Sequence, residues 1–199
     1  MRRAEPFDVF AGVNLALCAV LGAAFVAHRG LVADRVNVAE FLVYGAAIAL
    51  VAALGWRSAR RAHPTWLVLA VMQGGILAHL AGGLVWIHGV RLYDVDFGPV
   101  GYDKIVHAAN AAAGAMLADS LIRGEPRPVP KWVVVTLVVM GAGSLVEMVE
   151  YLAQRVIPNT GVGGYDNNSQ DLFANTAGAL LFAMLHGARR ALAAHRAAP

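Results

Sequence analysis

The sequence predicts an all-α, polytopic membrane bundle of six transmembrane helices with both termini cytoplasmic, and three observations carry that prediction. First, 58% of the residues are hydrophobic against 15% charged, the mean hydropathy is +0.58, and the apolar residues fall in blocks close to the roughly 20 residues that a helix needs to cross a bilayer. Second, no alternating ten-residue pattern marks a transmembrane barrel. In lipid, that leaves helices as the way to pair every backbone group. Third, the cations gather in every second loop, which sets the orientation.

The spans are expected at about 8–28, 39–56, 65–87, 103–122, 131–154 and 170–188. Arg2 and Arg3 followed by apolar residues from Phe7 could open a leader, but the run continues to about His28 without a small-x-small cleavage site, so a retained span is expected. Pro64 opens span three beside Trp66; Pro126, Pro128 and Pro130 separate spans four and five; Pro158 ends span five. Arg57, Arg60 and Arg61, then Arg123, Arg127 and Lys131, then Arg189, Arg190 and Arg196 mark the cytoplasmic side. The other loops, 159–164 among them with its three glycines, then face outward. Gly114, Gly141, Gly143 and Gly178 suit close helix contacts.

No linker divides the chain, so residues 1–199 form a single integral-membrane domain. Cys18 is the sole cysteine, which excludes an intrachain disulfide and a thiolate metal cluster. The net charge of +3 resides in loop arginines that topology alone demands, so no nucleic-acid partner is expected.

Against this background the acids stand out. A carboxylate in a lipid-facing helix costs about 2.5–3.5 kcal/mol, so acids inside spans are expected to face a partner within the protein. Asp103 and His107 are i and i+4 at the start of span four, with Asn110 and Gly114 on the same face. Glu147, Glu150, Tyr151 and Gln154 form a stripe near the outer end of span five. Asp171, Asn175 and Gly178 repeat the spacing at the start of span six, with Asp166 just outside it. Counting residues from each boundary places the three stripes at similar depth on the outer side. A divalent metal ion held by Asp103, His107, Asp166 and Asp171 would balance this charge, and mixed nitrogen and oxygen ligands suit Zn²⁺, Mn²⁺ or Fe²⁺. A di-iron site would want paired Glu-x-x-His motifs, and a calcium loop would want a central Gly and a distal Glu; neither is present. Asp103 and Asp171 could instead cap their helices, and Glu150 could pair with Arg155 or Lys104. His88, near the outer end of span three, could join the site; His79 reads as a core histidine.

Tyr102-Asp103-Lys104-Ile105-Val106-His107, Glu147-Met148-Val149-Glu150-Tyr151 and the run from Tyr165 to Gly178 resemble the YjdF-like inner-membrane proteins. A looser likeness is to VanZ-like proteins, which share the Asp-Lys-x-x-His opening and an Asp-x-x-x-Asn-x-x-Gly close. That likeness implies action at the cell envelope. The chain departs from it at Glu150 and in loop 159–164, where that pattern has a Gln and an Arg-bearing loop.

The resulting expectation is an outward-facing site in the inner membrane, between helices four, five and six, for metal-assisted hydrolysis or transfer. Its substrate would be a lipid headgroup or a lipid-linked envelope precursor. Glu147 or Glu150 would be the general base, with Asn175, Arg155 and Tyr151 contacting substrate. The absence of a Ser or Cys nucleophile beside a base favours activated water over a covalent route. The alternative is a non-catalytic cation- or ligand-binding or transport protein.

Overall fold

The computed structural model describes residues 5–27, 46, 63–124, 128–157 and 163–197. The second expected span, residue 46 apart, and most of loop 159–164 lie outside them. The described elements are α1 (Pro6–Ala27), α2 (Trp66–Leu84), two hairpins with a 3-10 turn (Leu92–Asp94) between them, α3 (Tyr102–Leu121), α4 (Lys131–Val156) and α5 (Tyr165–Ala197). Three of the described helices are long and apolar enough to cross a membrane: α1 over Pro6–Ala24, α2 and α4.

α3 is the hub, packing against α2, α4 and α5, while α4 packs on α5 and α1 on α2. Small residues allow these approaches. A Cβ on Gly178 would lie 2.0 Å from the Ala108 carbonyl oxygen, so α5 crosses α3 at backbone contact. Gly143 admits the Asn175 amide between α4 and α5, whereas Gly141 makes no such contact among the described residues and Gly114 only an ordinary one. Midway along the bundle lies a core of Ala111, Ala115, Ala118, Val135, Val139 and Ala179, with Ile122 and Phe182 against it. α1 and α2 are joined by a reciprocal amide pair: Asn14 Nδ2 donates to Gln73 Oε1 at 2.8 Å and Gln73 Nε2 donates to Asn14 Oδ1 at 3.2 Å.

The segment between α2 and α3 differs from the plain loop expected. α2 stops at Leu84, three residues short of the expected end, and the chain turns into β1 (Trp86–Ile87) paired antiparallel with β2 (Val90–Arg91). His88 and Gly89 form its turn, both with positive φ, as a tight type I′ hairpin requires. The second hairpin pairs β3 (Asp96–Phe97) with β4 (Val100–Gly101) around Gly98, again at positive φ. His88 is therefore exposed in a turn and does not join the site.

α5 also differs. It begins at Tyr165 and runs to Ala197, so its 33 residues make about 50 Å of helix, well beyond the roughly 30 Å hydrocarbon core.

Candidate functional site

Three helices bring the polar groups together. Asp103 and His107 stand one turn apart on α3, and His107 Nε2 lies 3.3 Å from Asp103 Oδ1. The same nitrogen is 3.6 Å from Oδ1 of Asp171, on α5. From α4, Glu147 places Oε1 3.9 Å from His107 Nδ1. Asp103, His107 and Asp171 each offer a ligand atom, and these three atoms lie within 4.8 Å of one another, a spacing able to hold a metal ion. Asp171 is only 1% exposed, and Glu147, Glu150 and Asn175 are also buried.

Neither aspartate is a helix cap. The N-cap of α3 is Gly101, which offers no side-chain bond, and Asp171 lies in the second turn of α5, not at its start. Asp103 pairs within α3, with Lys104 and His107, while Asp171 reaches both of these across from α5. Lys104 Nζ sits 2.9 Å from Asp103 Oδ2 and 2.6 Å from Asp171 Oδ1, and donates to Asn167 Oδ1 at 2.8 Å. Asn167 Nδ2 in turn donates to Asp171 Oδ2 at 2.7 Å. Lys104 and Asn167 were not expected as members of the site. The signal for Asn167 was its i,i+4 spacing to Asp171; Lys104 was weighed only as a partner of Glu150, not as a bridge between the two aspartates.

Glu147 stands in contrast. Both of its carboxylate oxygens are buried without a hydrogen-bond partner among the described residues. A charge held so must meet a cation, a proton or a ligand to be tolerated.

Several expected members lie elsewhere. Asp166, expected as a metal ligand, is exposed on the first turn of α5, where its charge suits the helix dipole, and falls outside the Asp103, His107 and Asp171 group. Tyr151 and Arg155, expected to contact substrate beside the acids, lie on the exposed side of α4, where Tyr151 lines one groove with Glu147. Arg155 Nη2 donates to Tyr151 Oη at 2.8 Å, with its guanidinium 5.0 Å over that ring. At about 100° per residue, Tyr151 and Arg155 are turned about 40° and 80° from Glu147 in one direction while Glu150 is turned about 60° in the other, so the single stripe divides. Glu150 and Glu147 remain inside, and Gln154 donates to the Gly163 carbonyl.

A further group enters from the hairpins. Tyr93, in the 3-10 turn, packs its ring on Gly82, where a Cβ would come within 2.7 Å, and bonds through its hydroxyl to His79 Nδ1. Burial, then the nearby charge of Asp103, raises the Tyr93 phenol above its ordinary pKa. Tyr102 donates to the Ala78 carbonyl at 2.9 Å, tying the start of α3 to α2.

At the opposite end of the bundle, Lys131 Nζ pairs with Asp119 Oδ1 at 3.0 Å and donates to the Asp119 carbonyl, with His186 4.0 Å from the other carboxylate oxygen. In helix order, the Ala and Val core separates this pair from the Asp103, His107 and Asp171 cluster.

Comparison with known proteins returned no match among curated proteins and none among solved structures. The VanZ-like resemblance is not shown by these comparisons. A family match spans residues 12–191, which takes in the site-bearing parts of α3, α4 and α5 and the hairpins before α3. The chain belongs to the family of predicted membrane proteins DUF2238, the YjdF-like family that its motifs resemble.

Proposed function

We propose that this protein is a six-span inner-membrane protein with cytoplasmic termini. Its outward-facing site carries out metal-assisted hydrolysis or transfer on a lipid headgroup or a lipid-linked envelope precursor. Asp103, His107 and Asp171 would hold the divalent ion, which supplies Lewis acidity. Glu147 would take the proton of the attacking water, with Glu150 behind it and Asn175 orienting a ligand. The observation that carries this reading is Glu147: a buried carboxylate, both oxygens without a hydrogen-bond partner among the described residues, facing His107 across 3.9 Å.

Charge supports it. With His107 neutral as a ligand, Lys104 balances one of the three carboxylates Asp103, Glu147 and Asp171, and a divalent ion would balance the other two. Glu147 is then the carboxylate placed to exchange a proton as general base. Lys104 would have to swing off Asp171 for an ion to bind; its flexible stem and partial exposure permit this.

A second reading rests on the same lysine. Because Lys104 bridges both aspartates, the cluster can be a non-catalytic cation- or ligand-binding site. Transport is the less favoured form, since the apolar core intervenes between the outer cluster and the Asp119–Lys131 pair.

Elemental analysis of purified protein tests the proposal. A stoichiometric divalent ion in the parent and its loss in His107→Ala are expected. An equal metal content in both proteins would refute it.

A further inference from the structure

A groove of about 490 Å³ opens between α4 and α5, lined by Ser144, Glu147, Met148, Tyr151, Leu152 and Leu172. Its volume is within the roughly 300–1,000 Å³ of sites that bury a small molecule. The lining is almost wholly apolar: the Ser144 hydroxyl donates to the Met140 carbonyl at 2.9 Å, and the Glu147 carboxylate oxygens are buried beneath the wall. Met148, Leu152 and Leu172 are exposed, and α4 is a membrane-crossing helix by length and composition. The surroundings of such a groove are acyl chains.

From Ser144 to Leu152 the α4 wall runs about 12 Å along the helix. At its outer end Tyr151 carries Arg155, whose guanidinium lies over the ring and spends one donor on the hydroxyl. A guanidinium has five donors in a planar fork that matches phosphate oxygens, so donors remain for an anionic group there. Polarity and charge thus change along one line, from an apolar floor to a cationic rim.

We propose that this groove takes the acyl chain of an anionic glycerophospholipid, which reaches it sideways from the bilayer and rests its phosphate on Arg155. The lipid then lies along the wall that carries Glu147. This deepens, and rests on, the reading of Glu147 as part of the working site. A soluble phosphate would meet Arg155 but gain nothing from the apolar wall, and the acids beneath would repel it. An amphiphile satisfies both halves.

The test uses the full chain in nanodiscs of phosphatidylcholine containing a trace of phosphatidylglycerol with a diazirine in one acyl chain, photolysed and mapped by mass spectrometry. Label is expected on residues 144–152 and on Leu172. Arg155→Gln should reduce it to the level of identically tagged phosphatidylcholine, a fall of roughly fivefold or more, the scale of one exposed charge-assisted contact. Ser144→Phe, which fills the inner end, should also remove label, while the surface change Arg155→Gln keeps the test sound if the bulkier variant misfolds. Added sodium phosphate should not compete. Chelator-treated parent protein should label as the untreated parent does, and a parent that carries no divalent ion on elemental analysis yet still labels would sink the metal reading and leave this one standing. Equal labelling by both lipids, competition by free phosphate, or label spread evenly over every apolar helix would overturn it.

Discussion

Gly178→Ala is the sharpest structural perturbation available, because α5 touches α3 there at backbone distance. The added Cβ would lie 2.0 Å from the Ala108 carbonyl oxygen, where contacts under 3.0 Å force a shift. The two helices must therefore part by about 1 Å, and a carbonyl in a helix has no rotamer with which to give way. Overpacking of this kind costs about 1–3 kcal/mol, offset by the roughly 1 kcal/mol that Ala gains over Gly inside a helix. Gly141→Ala isolates the second effect, since a Cβ there meets nothing within 4 Å among the described residues. Gly178→Ala should thus unfold about 1–3 kcal/mol more easily than the control in detergent. Asp171 stands seven residues away on the same face, about 10 Å along α5, so the parting also stretches its contacts with Lys104 at 2.6 Å and His107 at 3.6 Å. Divalent-ion titration should show weaker binding in Gly178→Ala and parental binding in Gly141→Ala. Equal melting and equal binding in the two variants would refute the close-crossing account.

Lys104→Met leaves Asp103 and Asp171 without their ammonium partner. It should cost roughly 3 kcal/mol in chelator, the low end for a broken buried pair given the partly exposed lysine, and a divalent ion should restore more stability than it adds to the parent. Tyr93, with its pKa raised by burial, binds its proton more tightly folded than unfolded. Its contribution is full below the ordinary value of about 10 and is lost as pH climbs beyond it, so Tyr93→Phe should flatten the alkaline fall in melting temperature; parallel curves would count against it. In a Cys18→Ser background, cysteines at 162 and 126 test the orientation: an impermeant thiol reagent applied outside should reach the first and miss the second, and the reverse would place the site on the cytoplasmic side.

What could be read from the sequence was local. Asp103 and His107 share a face because they are four apart in a helix, and Glu147 and Glu150 are both buried as a pair inside an apolar span had to be. Counting from the loop boundaries was enough to bring α3, α4 and α5 to a common depth. Lys104 was not legible as a bridge, because its position beside Asp103 turns its Cβ about 100° away, and only the length of its stem carries the ammonium across to α5. Asp166 and Asn167 looked like loop because Asn, Ser and Gln hide helical periodicity; the Asn167 contacts to Asp171 and Lys104 accompany the earlier start of α5. At the other end, the Ala and Arg residues after Leu185 carry helix propensity without an apolar stripe, so α5 outruns the span that hydropathy marks. The hairpins escaped because strands of two residues have no period to detect, although His88-Gly89 and Gly98-Pro99 were turn signals. With them went the placement of Tyr93.

Thermal unfolding in detergent, with chelator and then with added Zn²⁺ or Mn²⁺, for the parent and His107→Ala, is the most direct measurement of the central claim. Ion binding at a hundred times its dissociation constant stabilises the folded state by about 2.7 kcal/mol. The account predicts a raised midpoint in the parent that chelator removes, and no response in His107→Ala. A parental midpoint indifferent to chelator and metal, or an equal rise in the variant, would contradict it.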